Sequence, residues 1–311
     1  MTELPTIERV ILGVFAAVCL ASAAAWLAPL GWPFELFAHF RLQLLLVAGA
    51  LVPLLMLVRR PLIAVVAAIM ASAHWLPTAP GLQAHDLPAD CGDQSLVVVT
   101  ANVEVGNRDT QRLLAWLREN PADVMVVQEV DSVWAARLVE LTAYPYRHMI
   151  VRNDPHGIAL LSRWPLASVT RLELAPDAPP ALSAVVSVHG ARLRVIGLHA
   201  RWPITPHHAR QRDQVLQAVA VQVRTERLPV VVFGDLNLTP YSPVFAQLLR
   251  AAGLRDAGRN AGWQPTWMAS FWPLALRIDH VLVTPGICVQ QIRTGPSIGS
   301  DHRPLRAHLR F

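Results

Sequence analysis

Asp235 and Asn237 lie two residues apart beyond an apolar run, Val230–Phe233, and Gly234 lets the backbone turn between run and loop. A buried strand here would deliver a carboxylate and a carboxamide to one cleft. Taken alone, Gly-Asp-x-Asn has a plainer reading, an Asx-turn capping a helix that starts near Ser242. Other strand-like segments also end in polar side chains that a core does not need. Leu96–Asn102 ends in Asn102, Asp123–Glu129 in Glu129 and Arg192–His199 in His199, while Arg277–Thr284 carries Asp279 and Ser300–Pro304 carries Asp301 and His302. One strand ending in Glu is usually just a strand reaching water. Several converging on Asp, Asn, Glu and His make the oxygen-rich donor set of a hard-cation phosphoryl site.

Taken in order, these residues resemble the endonuclease/exonuclease/phosphatase family. The resemblance rests on Asn102, Gln128-Glu129, the stretch from Gly157 to Arg163, His199, Gly234-Asp-Leu-Asn237, Arg277-Ile-Asp279 and Ser300-Asp-His302, and covers nearly all of residues 96–311. It implies a four-layer α/β sandwich, two packed sheets with helices outside, that hydrolyses a phosphate ester with Mg²⁺, Mn²⁺ being the alternative cation. It implies Glu129 as the principal metal ligand, with Asn102 and Asp301 beside it. Asp235 would orient or deprotonate the attacking water, and Asn237 would donate hydrogen bonds to a phosphate oxygen as charge develops. His302 would stabilise the phosphoryl group or pass a proton, and Asp279 would fix its ring.

His199 is similar to the histidine carried at this strand end by deoxyribonuclease I and the neutral sphingomyelinases, and absent from the apurinic-site repair enzymes. Its plainer reading is a satisfied histidine at a sheet edge. Glu104 stands where repair members often have Asp, and its longer arm either reaches the metal or a second site, or is solvated. It joins Arg201 and Trp202 as a minor candidate for the substrate side, where Arg pairs with phosphate and Trp supplies an apolar wall. His207 and His208 read as surface residues opening a helix that runs through Glu226. Arg163 serves either carboxylate pairing or substrate.

The elements that hold these residues occupy a domain preceded by a linker, residues 81–95, and a nearly charge-free region, residues 1–80. Val10–Leu30, Leu42–Val58 and Leu62–Pro80 run 21, 17 and 19 residues without a formal charge. At about 20 residues per crossing these read as three membrane helices, the second somewhat short. The alternatives are a cleaved signal peptide for the first run, or two spans plus a re-entrant segment. Arg59-Arg60 between the second and third runs marks a cytoplasmic loop by the positive-inside rule. An odd number of crossings then exports the domain, to the periplasm or exterior. Asp86, Asp90 and Asp93 in an Arg-free linker suit that face, whereas Arg41, beside Glu35, would invert the topology if its loop were cytoplasmic.

The net charge of +5 and pI near 9.8 are modest for 311 residues, and all 27 basic residues are Arg. No basic run suggests a duplex-binding stripe, so nucleic acid enters only as a substrate class, and no dedicated protein partner is implied. Cys19 lies in a span; Cys91 and Cys288 fall in the exported domain, where an oxidising compartment permits, without requiring, a disulfide. Trp263, Trp267, Phe271 and Trp272 form either core or a platform at the cleft mouth. The expected function is therefore a membrane-anchored phosphoesterase acting on a phosphodiester or phosphomonoester, with a lipid headgroup or another membrane-proximal phosphodiester as the substrate class that the aromatic platform would suit. The alternatives are an extracytoplasmic nuclease in the manner of deoxyribonuclease I and a non-catalytic membrane module that only binds ligand.

Overall fold

A computed structural model describes residues 6–82, 91–259 and 261–311. Asp86 and Asp90 of the expected linker lie outside the described residues. The chain divides into two compact units, one of residues 1–83 with 241–243 and one of residues 84–240 with 244–311.

The first unit is helical: α1 (Thr6–Trp26), α2 (Phe34–Ala38), α3 (Arg41–Leu57) and α4 (Pro61–Leu82). Two helical stretches, Thr6–Trp26 and Pro61–Ala79, are long and apolar enough to cross a membrane. This corrects the expectation of three spans. At 1.5 Å per residue the 17-residue α3 rises about 26 Å, short of a ~30 Å hydrocarbon core. The first apolar run also breaks early. Pro29 sits in a 3₁₀ turn, Ala28–Leu30, that Gly31 ends at φ 89°, so the helix stops at Trp26 rather than Leu30.

Contacts between these helices fix their directions. Arg60, in the α3–α4 turn, pairs with Glu8 near the start of α1 at 2.7 Å. At the other end of α1, Arg41 donates to the Ala25 carbonyl at 2.9 Å and lies over the Trp26 ring at 4.2 Å. The His74 ring meets the Ser22 hydroxyl at 3.0 Å. Helices α1, α3 and α4 therefore run up, down and up between the same two layers.

The second unit follows the order β1 (Ser95–Asn102), α5 (Thr110–Glu119), β2 (Val124–Gln128), α6 (Ser132–Val139), β3 (Tyr146–Ile150), β4 (Ile158–Ser162), β5 (Leu166–Leu172), β6 (Ala181–Val188), β7 (Ala191–His199), α7 (Pro206–Thr225), β8 (Val230–Asp235), α8 (Pro243–Ala252), β9 (Arg255–Asp256), β10 (Asp279–Val283), β11 (Cys288–Thr294) and β12 (Leu305–Arg310). Its strands form two six-stranded sheets, β11-β12-β1-β2-β4-β3 and β5-β6-β7-β8-β10-β9. Central strands such as β2 and β8 are buried along their whole length, which is why they read as unbroken Val-rich runs. Val98, Val126 and Leu160 of the first sheet pack on Leu182, Val195 and Phe233 of the second. Outside this core, Leu113 of α5 and Trp134 of α6 cover the first sheet, while Val219 of α7 and Phe245 of α8 cover the second. The result is the expected four-layer sandwich.

Register brings the polar strand ends together. Parallel β1 and β2 pair Asn102 with Gln128, and parallel β7 and β8 pair His199 with Asp235. Antiparallel β10 opens where β8 closes, pairing Asp279 with Asp235. Antiparallel β12 pairs Leu305 with Thr100, so Asp301 and His302 leave the sheet at the Asn102 end. Cys91 and Cys288 are joined in a disulfide with Cα atoms 5.8 Å apart, tying the start of this unit to β11.

Candidate active site

Backbone strain marks the strand ends where the polar side chains sit. Glu104, Glu129 and Asn237 all adopt left-handed conformations, with φ of 61°, 63° and 49°. A non-glycine residue there costs of order 1–3 kcal/mol and persists only where its surroundings demand it. Gly234, at φ 147°, brings β8 so close to β7 that a Cβ would fall 1.9 Å from the Leu198 carbonyl oxygen. Gly157 does the same for the turn after Glu129, where a Cβ would meet the Val130 oxygen at 2.1 Å; its carbonyl accepts from the Glu129 amide at 2.7 Å.

Asp235, Asp279 and His302 are buried and form a group whose ligand-type atoms all lie within 4.8 Å of one another. The His302 Nδ1 is 2.8 Å from Asp279 Oδ2, and its Nε2 is 3.7 Å from Asp235 Oδ2. His199 Nε2 approaches the same Asp235 oxygen at 3.5 Å. The other oxygen, Oδ1, accepts from the Asn237 backbone at 2.9 Å, so the Asx-turn expected as the plainer reading is also present. Asn237 Nδ2 donates to the Ala200 carbonyl at 2.8 Å, which leaves one amide hydrogen for another acceptor.

Charge states separate within this group. Burial raises the Asp235 carboxyl, and the Asp279 charge adds to it, pushing it up to about 7. Burial would also raise Asp279, but the His302 charge and hydrogen bond, with help from Thr266, hold it below the usual carboxylate range. Burial disfavours a charged His302, yet Asp279 and Asp235 outweigh it and push the imidazole up to about 10. Burial holds His199 below the ordinary histidine range. Near neutrality the group thus contains an imidazolium bound to Asp279, a neutral His199 and a carboxyl at Asp235 poised between its two states.

Beside it lies a second acidic group. Asn102 Nδ2 donates to Glu129 Oε1 at 3.0 Å and to Asp235 Oδ2 at 3.2 Å, linking the two. The Val105 amide donates to Glu129 Oε2 at 2.8 Å, and the Asp301 amide donates to Glu104 Oε2 at 3.1 Å. Burial raises the Glu104 carboxyl and the Asp301 and Glu129 charges raise it further. Glu104, Glu129 and Asp301 are not drawn together as tightly as Asp235, Asp279 and His302.

Of the substrate-side candidates, Glu104 therefore joins the acids. Trp202 is exposed and its ring centroid stands 6.5 Å from that of Trp267. Arg201 donates to the Asp177 carbonyl at 3.0 Å. His207 and His208 open α7, where the Thr205 hydroxyl accepts from the His208 amide at 3.1 Å.

Three supports escaped the sequence. The Thr266 hydroxyl accepts from the Asp279 amide at 3.1 Å, Trp267 Nε1 donates to Asp301 Oδ2 at 2.7 Å, and Asp256 takes both Arg277 Nη atoms at 3.0 and 2.6 Å. Trp267, read as core or platform, is half-buried, and its indole N–H holds an acid at the site. Phe271 and Trp272 are exposed, so they are not core.

Two sheets under paired helices, with these acids and imidazoles at one end, define a phosphoesterase-type α/β sandwich. The chain belongs to the endonuclease/exonuclease/phosphatase family, whose model matches residues 99–302. Members of this family are metal-dependent hydrolases acting on phosphoesters. No curated protein matches the chain. Among solved structures it is similar to an endonuclease/exonuclease/phosphatase from Beutenbergia cavernae, with 24% identity and a TM-score of 0.60 over 70% of this chain and 72% of that one. It is similar to zebrafish (D. rerio) TDP2 in complex with a single-strand DNA product, with 15% identity and a TM-score of 0.62 over 70% of this chain and 100% of that one. Sphingomyelinase C from Streptomyces griseocarneus aligns at 20% identity and a TM-score of 0.54, over 69% and 99% of the two chains.

Proposed function

We propose that the chain is a membrane-anchored phosphoesterase dependent on Mg²⁺, with Mn²⁺ the alternative, whose catalytic unit lies outside the cytoplasm. The observation that carries the chemistry is His302, its Nδ1 on Asp279 at 2.8 Å and its Nε2 facing Asp235 at 3.7 Å, beside three converging acids.

Glu129, Glu104 and Asp301, with the Asn102 carbonyl oxygen, fit a divalent cation. They offer only oxygen donors, and Glu104, raised first by burial, is raised further by the Asp301 and Glu129 charges, a repulsion that a cation would relieve. The tighter Asp235, Asp279 and His302 group, in which His302 Nδ1 bonds Asp279, is assigned instead to the attacking water and the phosphoryl oxygens. When bound, the cation neutralises charge on the phosphoryl oxygens. Asp235 takes the proton of the attacking water. The water oxygen bonds to phosphorus as the ester P–O bond breaks, and the leaving oxygen takes a proton from solvent. His302, held charged by Asp279, donates from Nε2 to a phosphoryl oxygen, and Asn237 donates its remaining amide hydrogen.

One further observation supports the exported, anchored reading: the Cys91–Cys288 disulfide suits an oxidising compartment.

The test is turnover of bis(4-nitrophenyl) phosphate and 4-nitrophenyl phosphate by the full chain in detergent, with Mg²⁺, Mn²⁺ or chelator. Turnover that requires the cation and falls at least ~100-fold in Asp235→Asn is expected. Silence with either cation on both substrates, or an unaffected variant, would overturn the proposal. A nuclease is the second reading, favoured by the DNA named with the zebrafish neighbour; cation-dependent cleavage of single-stranded DNA, with no turnover of phospholipid, would establish it.

A further inference from the structure

Two loops flank the candidate site, residues 200–205 after β7 and residues 263–276 before β10. The second loop meets the site through Trp267, which holds Asp301, pairs in a β-bridge with His302, and lies with its ring tilted 6.5 Å from that of Trp202. The apolar members of both loops face outward. Trp202, Ile204, Phe271 and Trp272 are each more than half exposed, and Leu274 is exposed beside them. Short turns hold the second loop in this shape, with the Phe271 amide donating to the Met268 carbonyl at 2.8 Å and the Leu274 amide to the Phe271 carbonyl at 3.0 Å. Between loop and site sits a cavity of about 100 Å³, lined by Met268, Ser270, Phe271, Ser297, Asp301 and Arg303. A candidate cation ligand and an exposed aromatic ring thus share one wall.

Scattered exposed apolar residues need no explanation, but two tryptophans, a phenylalanine, an isoleucine and a leucine around one catalytic mouth do. These are the residue types that partition into the headgroup and acyl boundary of a bilayer. The charge pattern selects the same occupant. Neither Ala200–Arg212 nor Trp263–Leu276 contains an Asp or Glu, whereas Arg201 and Arg303 stand at the two loops. Arg201 donates to the Asp177 carbonyl and Arg303 to the Ser270 hydroxyl, and among the described residues neither pairs with a carboxylate. Apolar loops without acidic residues, flanked by guanidinium groups, complement a layer of phosphate headgroups above acyl chains. The chain also supplies a bilayer within reach. It carries two helices of spanning length, and eight residues lie between Leu82 and Cys91, so the two are at most ~32 Å apart along the chain.

Resting on the phosphoesterase reading of the site, we infer that this rim docks into the interface of the bilayer that anchors the chain, and that the substrate is a phosphodiester lipid drawn from that bilayer. Ile204, Trp272 and Leu274 enter the interface. The scissile phosphate passes between Arg201 and Arg303 toward Asp301 while the acyl chains stay in the membrane. No long extraction of the acyl chains into water is then required.

The experiment uses the full chain reconstituted into vesicles of phosphatidylcholine, phosphatidylethanolamine, phosphatidylglycerol and sphingomyelin. In a Cys19→Ser background, a fluorophore on Trp272→Cys reports docking without reference to activity. Quenching by doxyl-labelled lipid, with protection from iodide, is expected; quenching by iodide alone would overturn the inference. Activity is read on the vesicle lipids and on soluble bis(4-nitrophenyl) phosphate. The combined change Ile204→Ser, Trp272→Ser and Leu274→Ser should lower lipid turnover at least ~10-fold while leaving the soluble diester within about 2-fold, since only the interfacial contact is lost. An equal fall on both substrates would overturn the rim's role. Turnover of the soluble diester with none of the four lipids would overturn the lipid substrate and leave the phosphoesterase standing. If single-stranded DNA is cleaved instead, and that cleavage falls in the triple variant, the rim stacks bases and the inference is wrong. If wild type turns over nothing, the phosphoesterase reading fails and the lipid substrate fails with it.

Discussion

His280 sets a calculable acid limit on the strand that carries Asp279. It is fully buried on β10, its Nε2 donates to the Leu238 carbonyl at 2.7 Å, and its ring lies 4.6 Å from that of Phe245. Its Nδ1 has no partner among the described residues, so the buried ring has no acceptor for a second proton. Burial, with the nearby Arg277 charge, pushes its pKa down from 6.5 to about 4. Between those values the unfolded chain binds a proton that the folded chain does not, so acid favours unfolding. The contribution is fully present above pH 6.5, is lost as pH falls, and levels off below about 4. Linkage converts the shift into about 2 kcal/mol lost between pH 7 and pH 5, and about 3 kcal/mol by pH 4. His280→Gln keeps a donor for Leu238 and removes the titration. Urea denaturation of the full chain in mild detergent, followed by tryptophan fluorescence from pH 7 to pH 4, measures the difference. Acids common to both proteins cancel in it. The variant should lose about 2 kcal/mol less than wild type between pH 7 and pH 5; parallel curves would refute the assignment.

Glu129→Gln should keep the melting transition but cut cation-dependent turnover at least ~100-fold, and near-wild-type rates at saturating Mg²⁺ would remove Glu129 from the cation site. The Cys91–Cys288 disulfide closes a sequence separation of 197 residues, so Cys91→Ser should destabilise the catalytic unit by about 2–5 kcal/mol in denaturant titrations. In intact cells only Cys19 should alkylate before reduction; three reactive thiols would place the unit in a reducing compartment. A reporter active only after export should work when fused after Phe311, and activity of a cytoplasm-only reporter there would invert the topology. Gly234→Ala, which puts a Cβ against the Leu198 carbonyl, should cost on the order of 3 kcal/mol or more by thermal melt, and an unchanged melting temperature would contradict that close approach.

How legible each part was depends on whether local pattern or distant pairing decides it. Asn102, Glu129, His199 and Asp235 were visible because each closes a buried, Val-rich run, and parallel pairing of β1 with β2 and β7 with β8 carries such ends to one edge. Asp279 and His302 required antiparallel neighbours to bring them back to that edge, which only the family pattern indicated. The loop of residues 257–278 has no helical or strand period, so nothing in it announced that Thr266 would support Asp279 or that Arg277 would find Asp256. Composition counted three apolar runs, but a helix needs length as well as hydropathy, and the shortness of α3 with the break at Pro29 left two helices of spanning length. Cys91 and Cys288 could not be paired without the edge register that lays the first residues of the domain beside β12 and thus near β11.

Asn102 is the residue whose identity matters most beyond its position. Its amide nitrogen donates at once to Glu129 and Asp235, one hydrogen to each acidic group, while its carbonyl oxygen accepts from the Glu104 amide at 3.0 Å. An aspartate of the same shape would add a third like charge between Glu129 and Asp235 and donate to neither. Buried at 1% exposure, it would have no solvent to screen that charge. The neutral amide therefore hydrogen-bonds Glu129 on one side and Asp235 on the other without adding charge, and keeps the two acidic groups electrically distinct.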